Sequence, residues 1–383
     1  MKILCTQENL ATGLFITSHI SSKSINLPIL NNILIQVEKN SIKFLSTNLE
    51  IGVSCNIRGK IEKEGTYTVQ GKLLSDYINL LPKERVELEL IEDKNTSSTY
   101  LKVQCNNSLT KIKGISASDF PLIPKIERKN PYTCDINELR NAISQVIFAV
   151  SLNEARPEIS GVFVNFTENS LILAATDSFR LTERIISLKT NNSSQQGQKI
   201  IIPTRTLQEL QRILNSIKDE AEIETTKNIE MYISENQILF CVGNIEITSR
   251  LIEGQYPDYK QIIPQKFSTT IEVSTQDLIK VIKTSSLFSR SGIYDVILNF
   301  SCEKGEIVIL SSNAQVGENR SSITAKVTGK DNEIVLNHRY LLDGLQNIGS
   351  DEIIIEVIDG SSPCIIKPKD SSAYMYIIMP IKQ

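Results

Sequence analysis

The sequence repeats the same order of segments three times along its 383 residues. A helix-start pattern begins at Thr6, Asp135 and Ser274: a capping residue, a polar or acidic residue three positions later, and a leucine immediately after that. The three copies lie about one third of the chain apart, which is the signature of a repeat architecture. A chain of this kind is constrained to fold as three like units.

A second helix and a β-hairpin recur in the same order. Lys72, Arg205 and Arg339 each precede a leucine and are followed by an acid four residues later. Pairs of apolar alternating runs, typical of hairpins, occupy residues 33–37 and 42–48, 162–166 and 171–177, and 296–300 and 307–313. Each unit also ends on a similar segment, at residues 119–121, 256–259 and 376–380. We therefore predict an α+β protein of three homologous domains, each with two helices packed on antiparallel sheet, spanning residues 1–125, 126–264 and 265–383.

Composition narrows the class of protein. Apolar residues make up 40% and charged residues 22% of the chain, which is typical of a folded, soluble protein. The formal net charge of −3 excludes a uniformly basic nucleic-acid coat, although it allows a local basic patch. No apolar run is long enough to span a membrane. Seven scattered cysteines without a CxxC pair indicate reduced thiols, so we expect a cytoplasmic protein without a zinc site.

Catalytic patterns are sparse. The only histidines, His19 and His338, fall in different repeats, and no nucleophile or metal motif accompanies them. His338 precedes Arg339 at a helix start, which favours a surface or capping role. Asp177 and Asp258 are the only pair that suggests carboxylate catalysis. Because Asn48 and Asn313 take the place of Asp177 in the other repeats, a strand-end turn is favoured there. We expect no cofactor.

Basic residues on the predicted helices would line one surface if both helices of each unit face the same way. Lys72, Arg205 and Arg339 share one helical position in the three repeats. From charge alone, a nucleic-acid-facing surface and an ordinary solvated surface are equally open. The candidate residues are Lys72, Arg140, Arg205, Arg212, Lys280, Lys283 and Arg339.

Four segments carry a resemblance to a known family over the whole chain. They are residues 27–32 (LPILNN), 175–181 (ATDSFRL), 256–259 (YPDY) and 379–382 (MPIK). The chain resembles the bacterial DNA polymerase III beta subunit family, the replication sliding clamps. The resemblance implies a non-catalytic processivity factor that closes as a head-to-tail homodimer ring around duplex DNA. Topological retention fits weak, sequence-independent phosphate contacts. It adds Lys23 and Asn153 to the DNA-facing candidates.

The resemblance also implies partners. Polymerase, clamp loader and repair proteins would insert short apolar peptides into a pocket between the second and third domains. The pocket residues it implies are Ile159, Thr176, Ser178, Phe179, Arg180, Leu181, Pro257, Gln261, Ile262, Met379, Pro380, Ile381 and Lys382. The family's turn reads Gly-His where this chain has Ser178 and Phe179, and an arginine expected in the interdomain stretch is Gln261. Both differences make the pocket floor less polar.

The implied dimer contact joins an edge of the first domain to the third. Its residues would be Leu109, Thr110, Lys111, Ile112, Leu287, Phe288 and Glu318. Two alternatives to the clamp stay open at this point. One is a repeat-built interaction scaffold that never encloses DNA, and the other is an enzyme that uses Asp177 and Asp258.

Overall fold

The computed structural model describes residues 1–20, 27–93, 98–153, 155–189, 197–217 and 227–382. Every pairing between neighbouring strands is antiparallel. The helices of the described part are α1 (Gln7–Ser18), α2 (Gly71–Asn79), α3 (Ile136–Ile147), α4 (Thr204–Ser216), α5 (Thr275–Ser286) and α6 (His338–Asn347). The mixed α+β class and the two helices expected of each repeat are confirmed.

The described strands follow the repeats in order. They are β1 (Lys2–Thr6), β2 (Asn32–Glu38), β3 (Ser41–Thr47), β4 (Ile51–Ile57), β5 (Lys60–Lys63), β6 (Gly65–Gln70), β7 (Arg85–Asp93), β8 (Ser98–Cys105), β9 (Ser108–Lys113), β10 (Tyr132–Asp135), β11 (Gly161–Phe166), β12 (Ser170–Thr176), β13 (Arg180–Ser187), β14 (Gln198–Pro203), β15 (Asn228–Ser234), β16 (Gln237–Val242), β17 (Ile245–Arg250), β18 (Thr269–Ser274), β19 (Asp295–Ser301), β20 (Glu306–Asn313), β21 (Gly317–Thr324), β22 (Lys326–Gly329), β23 (Asn332–Asn337), β24 (Glu352–Val357), β25 (Cys364–Pro368) and β26 (Tyr374–Ile378). The three predicted hairpins are β2–β3, β11–β12 and β19–β20, and all three are confirmed.

The chain divides into two compact units. The first comprises residues 1–136 and 212–251. It holds a five-stranded sheet in the order β5-β1-β7-β8-β9 and an eight-stranded sheet in the order β10-β15-β16-β17-β4-β3-β2-β6. Helix α1 packs on α2 and on β3 and β4, and it contributes the fully buried Leu10 and Leu14 to a core shared with both sheets. Burial of such side chains is the main stabilising contribution.

The second unit comprises residues 137–211 and 252–383. It holds a nine-stranded sheet in the order β14-β11-β12-β13-β26-β25-β24-β18-β22 and a four-stranded sheet in the order β21-β20-β19-β23. Helix α5 packs on α6 and on β20 and β21, with Leu278 and Ile282 fully buried. The arrangement of α5 and α6 repeats that of α1 and α2 in the first unit.

Two of the repeats are joined to their successors by the same type of strand pair. The fourth strand of the first repeat, β4, pairs with the last strand of the second repeat, β17. The fourth strand of the second repeat, β13, pairs in the same way with the last strand of the third repeat, β26. The corresponding strands that remain are β21 and β9. Each of these lies at the edge of its sheet in the described part of the chain.

Helix starts follow the sequence pattern. The Thr6 hydroxyl accepts a hydrogen bond from the Asn9 amide at 3.3 Å, and Ser274 caps α5 through the Asp277 amide at 3.4 Å. These side chains satisfy amides that lack a partner in the first helical turn. The capping prediction is therefore confirmed at these two positions.

The turn that follows the hairpin, between β3 and β4 in the first repeat and between β12 and β13 in the second, has the same geometry in both. Thr47 Oγ1 donates to the Ile51 carbonyl at 2.9 Å, and Thr176 Oγ1 donates to the Arg180 carbonyl at 2.7 Å. Asp177 Oδ1 accepts from the Phe179 and Arg180 amides. Its predicted role as a turn residue is thus confirmed, because a carboxylate can bond backbone amides two and three residues ahead.

Four expectations from the sequence are corrected by the structure. Arg140 is only 7% exposed, because it lies three residues before the buried Ile143 on the same face of α3. The side chain of Ile112 on β9 faces the core opposite Leu101, so only the backbone of this residue is at the sheet edge. The third repeat ends in strand β26, whereas the corresponding segments of the other repeats contain short 3-10 turns.

His338 is the fourth correction. It is 8% exposed, its ring lies edge-on against Tyr294 with centroids 5.8 Å apart, and the side chain that caps α6 is Asn337. Burial, followed by the charge of Arg339, lowers the pKa of His338, while Asp295 opposes the shift. The imidazole is therefore held neutral in the fold.

This depressed pKa predicts a loss of stability in acid. Below about pH 6.5 the histidine of the unfolded chain is protonated, whereas folded His338 stays neutral down to its lower pKa. The unfolding free energy therefore falls as the pH drops from about 6.5 toward the folded pKa. We expect His338→Gln to lose less unfolding free energy than the wild type between about pH 7.5 and pH 5.5, by at most about 1.4 kcal/mol for each pH unit below about 6.5. Urea titrations at the two pH values measure this difference. His19→Gln, which alters the exposed histidine, is the control, and equal pH dependence of all three proteins would contradict the prediction.

Candidate partner-binding pocket

A concave, mostly apolar pocket of about 200 Å³ opens within the second unit. Such pockets with a few polar groups are the usual form of a ligand or peptide site. Its lining residues are Arg156, Ile159, Thr176, Ser178, Arg180, Leu181, Pro257, Asp258, Tyr259, Ile262, Ile377 and Met379. The repeats place these residues together because β13 of the second repeat pairs with β26 of the third.

Three chain segments form the walls. The turn between β12 and β13 holds Ser178 in the left-handed region, with φ of 79°. The 3-10 turn Tyr259–Ile262 forms a second wall. The third is the end of β26, where the Met379 amide donates to the Phe179 carbonyl at 2.8 Å. Backbone bonds therefore fix the terminal segment against the turn.

Arg180 anchors the polar side of the pocket and is only 11% exposed along its side chain. Its Nε donates to Asp177 at 2.9 Å, its Nη1 to Asp343 at 2.5 Å and its Nη2 to the Phe148 carbonyl at 2.9 Å. The guanidinium also lies over the Tyr340 ring, 4.5 Å from its centroid. Such a planar fork satisfies several acceptors at once, which a lysine cannot do.

This geometry predicts that Arg180→Lys destabilises the chain by about 2–3 kcal/mol, because buried acceptors lose their donors. Chemical denaturation measures the loss. Arg156→Lys is the matched control, since Arg156 is half exposed and pairs with Glu158 at the surface, where such pairs contribute about 0–1 kcal/mol. Equal stabilities of the two variants would contradict the anchoring role.

An aromatic cluster supports the apolar floor. Phe163 stacks on Tyr256 with centroids 5.0 Å apart, and Tyr259 meets Tyr256 edge-on at 6.4 Å. The Tyr259 hydroxyl donates to Glu183. Burial raises the pKa of both tyrosines, and the bond to Glu183 adds to the shift of Tyr259. Both phenols are therefore neutral and rigidly held at physiological pH.

The structure gathers eight of the thirteen implied pocket residues into this pocket. Phe179 lies outside it, 60% exposed and stacked on Tyr340 with centroids 6.4 Å apart. Gln261 is at the rim and donates to Asp258. The chain leaves the pocket after Met379, because the Ile381 amide donates to the Val335 carbonyl on β23. Pro380, Ile381 and Lys382 therefore do not line it.

Sequence reasoning missed four lining residues: Arg156, Asp258, Tyr259 and Ile377. Asp258 and Tyr259 belong to the YPDY segment that was singled out for its place in the repeat, so the signal was present but unused. Ile377 comes close only through the pairing of β13 with β26, and Arg156 comes close through a hydrogen bond from its Nη1 to the Ser178 hydroxyl at 3.2 Å; the local sequence encodes neither contact.

The DNA-facing candidates have different surroundings. Lys72, Asn153, Arg205, Lys280, Lys283 and Arg339 are exposed. Arg212 is partly buried: its guanidinium lies 4.7 Å from the centroid of the Phe15 ring and donates to the Phe15 and Ile16 carbonyls at the end of α1. Lys23 lies outside the described residues.

The candidate dimer residues fall on the two edge strands and beside them. Leu109 of β9 is 58% exposed, and Leu287, which follows α5, is 71% exposed. Thr110 and Phe288 are partly exposed, and Lys111 and Glu318 are exposed. Exposed leucines of this size at unpaired strand edges indicate an interaction surface.

Among the described residues, no three His, Cys, Asp or Glu side chains come together in a way that could hold a metal ion. No described helix has the length and apolar character to cross a membrane.

Solved structures share this architecture across the chain. The DNA polymerase sliding clamp of Bacillus subtilis superposes with a TM-score of 0.91 at 26% identity, covering 100% of this chain and 99% of the other. Among curated proteins, the beta sliding clamp of Staphylococcus epidermidis is 30% identical over 370 residues, 94% of each chain, and that of a Synechocystis strain is 26% identical over 396 residues, 100% of this chain and 99% of the other. The three-repeat fold thus defines a sliding clamp.

Family models agree in all three repeats. The N-terminal, central and C-terminal domains of the DNA polymerase III beta subunit match residues 1–124, 133–258 and 260–382. The chain belongs to the DNA polymerase III beta subunit family. It is therefore a non-catalytic subunit, and the scaffold and enzyme alternatives are set aside.

Proposed function

We propose that two copies of this chain close head to tail into a ring around duplex DNA and tether the replicative polymerase through the pocket described above. The relatives it matches are named beta sliding clamps and DNA polymerase sliding clamps. The proposal places the protein in DNA replication, in the cytoplasm, as a processivity factor. The domain boundaries near residues 125 and 264 are part of it.

The observation that supports the ring is that β9 and β21 are both edge strands without a partner on their outer side in the described part of the chain. Two of three equivalent junctions, β4 with β17 and β13 with β26, form inside one chain. The third junction needs β21 and β9, and both are edge strands. Pairing β21 of one copy with β9 of a second copy completes the series, and a second such pair closes the dimer. Closed symmetry of this kind leaves neither β9 nor β21 as an open edge.

The DNA contact is proposed to be electrostatic and loose. The exposed cations on the helices, Lys72, Arg205, Lys280, Lys283 and Arg339, carry it together with the exposed Asn153. Lys23, outside the described residues, belongs to the same proposal. Several are already engaged within the chain: Lys280 lies 3.4 Å from Asp277, and Arg339 lies over the Tyr294 ring. Contacts of this kind carry no base preference, so the ring can slide while its topology keeps it on the duplex.

The pocket is proposed to bind short apolar peptides from the polymerase alpha subunit, the clamp loader and repair proteins. Its apolar walls suit aliphatic or aromatic anchors, and a few such anchors carry most of the energy in peptide interfaces. A Gln-Leu-x-Leu-Phe peptide is the expected ligand type. Loading onto DNA would be performed by the clamp loader.

Primer extension tests the proposal. The polymerase alpha subunit and clamp loader of the same cell are supplied with a primed single-stranded circle, with or without this protein. We expect the protein to lengthen the products of a single binding event at unchanged polymerase concentration. Products of equal length with and without it would overturn the proposal.

A further inference from the structure

Three charged side chains line the otherwise apolar pocket, and two of them are neutralised within the chain. Arg180 pairs with Asp177 at 2.9 Å and with Asp343 at 2.5 Å. Arg156 pairs with Glu158 at 3.1 Å. Neither arginine therefore offers an unpaired positive charge to a ligand.

Asp258 is the third, and it differs from the other two. Its carboxylate accepts a hydrogen bond from the Gln261 amide, with Nε2 and Oδ2 2.9 Å apart, and it forms no ion pair with any described residue. The side chain is exposed at the pocket rim beside Pro257. A neutral amide orients the carboxylate without cancelling its charge, and it leaves the second oxygen able to accept another donor.

The charges around the pocket are therefore unbalanced. Two guanidinium groups are accompanied by four carboxylates when Asp258 is counted with the partners of the arginines, which leaves a formal charge of −2. The excess negative charge lies at Asp258, the one of these four carboxylates that forms no ion pair with a described residue. Complementary charges at the rim of an interface raise the association rate and select among partners.

We propose that the partner peptides of this protein carry a lysine or arginine next to their apolar anchors, and that this cation pairs with Asp258. The inference rests on the proposed function of the pocket and adds the charge class of its ligands. An acidic residue at the same peptide position is disfavoured, because it would meet an unscreened carboxylate.

Residue 261 controls this preference. Gln261 is three residues beyond Asp258 on the 3-10 turn, within hydrogen-bond distance of its carboxylate. A guanidinium at position 261 would form an ion pair with Asp258, which the neutral Gln261 cannot do. The negative charge that attracts a cationic peptide would then be cancelled. Gln261→Arg is therefore expected to remove the charge preference while leaving the apolar walls intact.

Peptide titration by fluorescence anisotropy tests the proposal on the full-length protein. A labelled Gln-Leu-x-Leu-Phe peptide is varied so that Lys, Gln or Glu occupies, in turn, the x position and each flanking position. At one position we expect Lys to bind about fivefold more tightly than Glu at low salt, the size of an exposed ion pair. The ratio should shrink at about 500 mM salt, where screening is strong.

Three variants complete the test. Asp258→Asn and Gln261→Arg should each bring the Lys to Glu ratio close to one, with the affinity of the Gln peptide for the same variant as the reference. Glu303→Gln, an exposed acid away from the pocket, is the control and should keep the wild-type ratio. If peptides bind but show no charge preference at any position, the inference is overturned and the pocket stands. If no peptide binds the wild type, both the assignment of the pocket as a peptide site and the inference about charge are contradicted.

Discussion

Leu109→Arg should convert the dimer into single chains. Leu109 projects from β9, the strand edge that the proposal pairs with β21 of a second copy. Because a head-to-tail dimer uses each edge once per chain, one substitution places an unpaired guanidinium in both interfaces. We expect the dissociation constant of the dimer to rise by about 100-fold, the effect of losing a central interface anchor.

Sedimentation measures the change directly. At micromolar concentration the wild type should have twice the chain mass of 42.9 kDa, and the variant should have the mass of one chain. Leu122→Arg is the control, since Leu122 is even more exposed than Leu109, at 95% against 58%, but lies outside every described strand. It should leave the dimer intact. A wild type that is monomeric at this concentration, or a Leu109→Arg variant that remains dimeric, would contradict the closure of β9 on β21.

Removal of residues 379–383 should abolish peptide binding and leave the dimer unchanged. The deletion removes Met379 from the pocket wall together with its backbone bond to Phe179. Loss of one buried apolar side chain from a binding site lowers affinity by at least about tenfold. Neither candidate dimer edge, β9 or β21, contains these residues.

A shorter truncation separates the pocket from the tail. Removal of residues 382–383 alone should preserve binding, because Lys382 is exposed and does not line the pocket. Anisotropy with the Gln-Leu-x-Leu-Phe peptide compares the two truncations. Equal affinities would place the binding site elsewhere.

Local features of the fold could be predicted from the sequence because local interactions determine them. The caps at Thr6 and Ser274 and the turn at Asp177 are formed by side chains bonding to amides two or three residues away. A threefold repeat strengthened each of these predictions, since one segment was observed in three contexts. The hairpins followed from apolar alternation.

Long-range features could not be predicted in the same way. The junctions of β4 with β17 and of β13 with β26 join strands far apart in the sequence, and no local pattern encodes their pairing. The burial of Arg140 and His338 was missed because charged and polar residues are expected at the surface. In the pocket, Ile377 comes near the turn only through the pairing of β13 with β26.

The pocket shows which residues a resemblance identifies and which features only the structure adds. It identified Thr176, Leu181 and Met379, which line the pocket. It also included Phe179, which stacks on Tyr340 at the surface beside the pocket, and its part in peptide binding stays a prediction. The charge of Asp258 became informative only when the ion pairs of the neighbouring arginines were known.

Retention on DNA tests the central claim most directly. The wild-type protein is loaded by the clamp loader onto a nicked circular duplex and passed through a gel-filtration column at a salt concentration that disrupts phosphate contacts. We predict that it travels with the circle and is released once a restriction enzyme cuts the duplex into a linear molecule. Equal retention on both forms would show binding by surface contact, and no retention on the circle would show that no ring closes; either result would contradict the account.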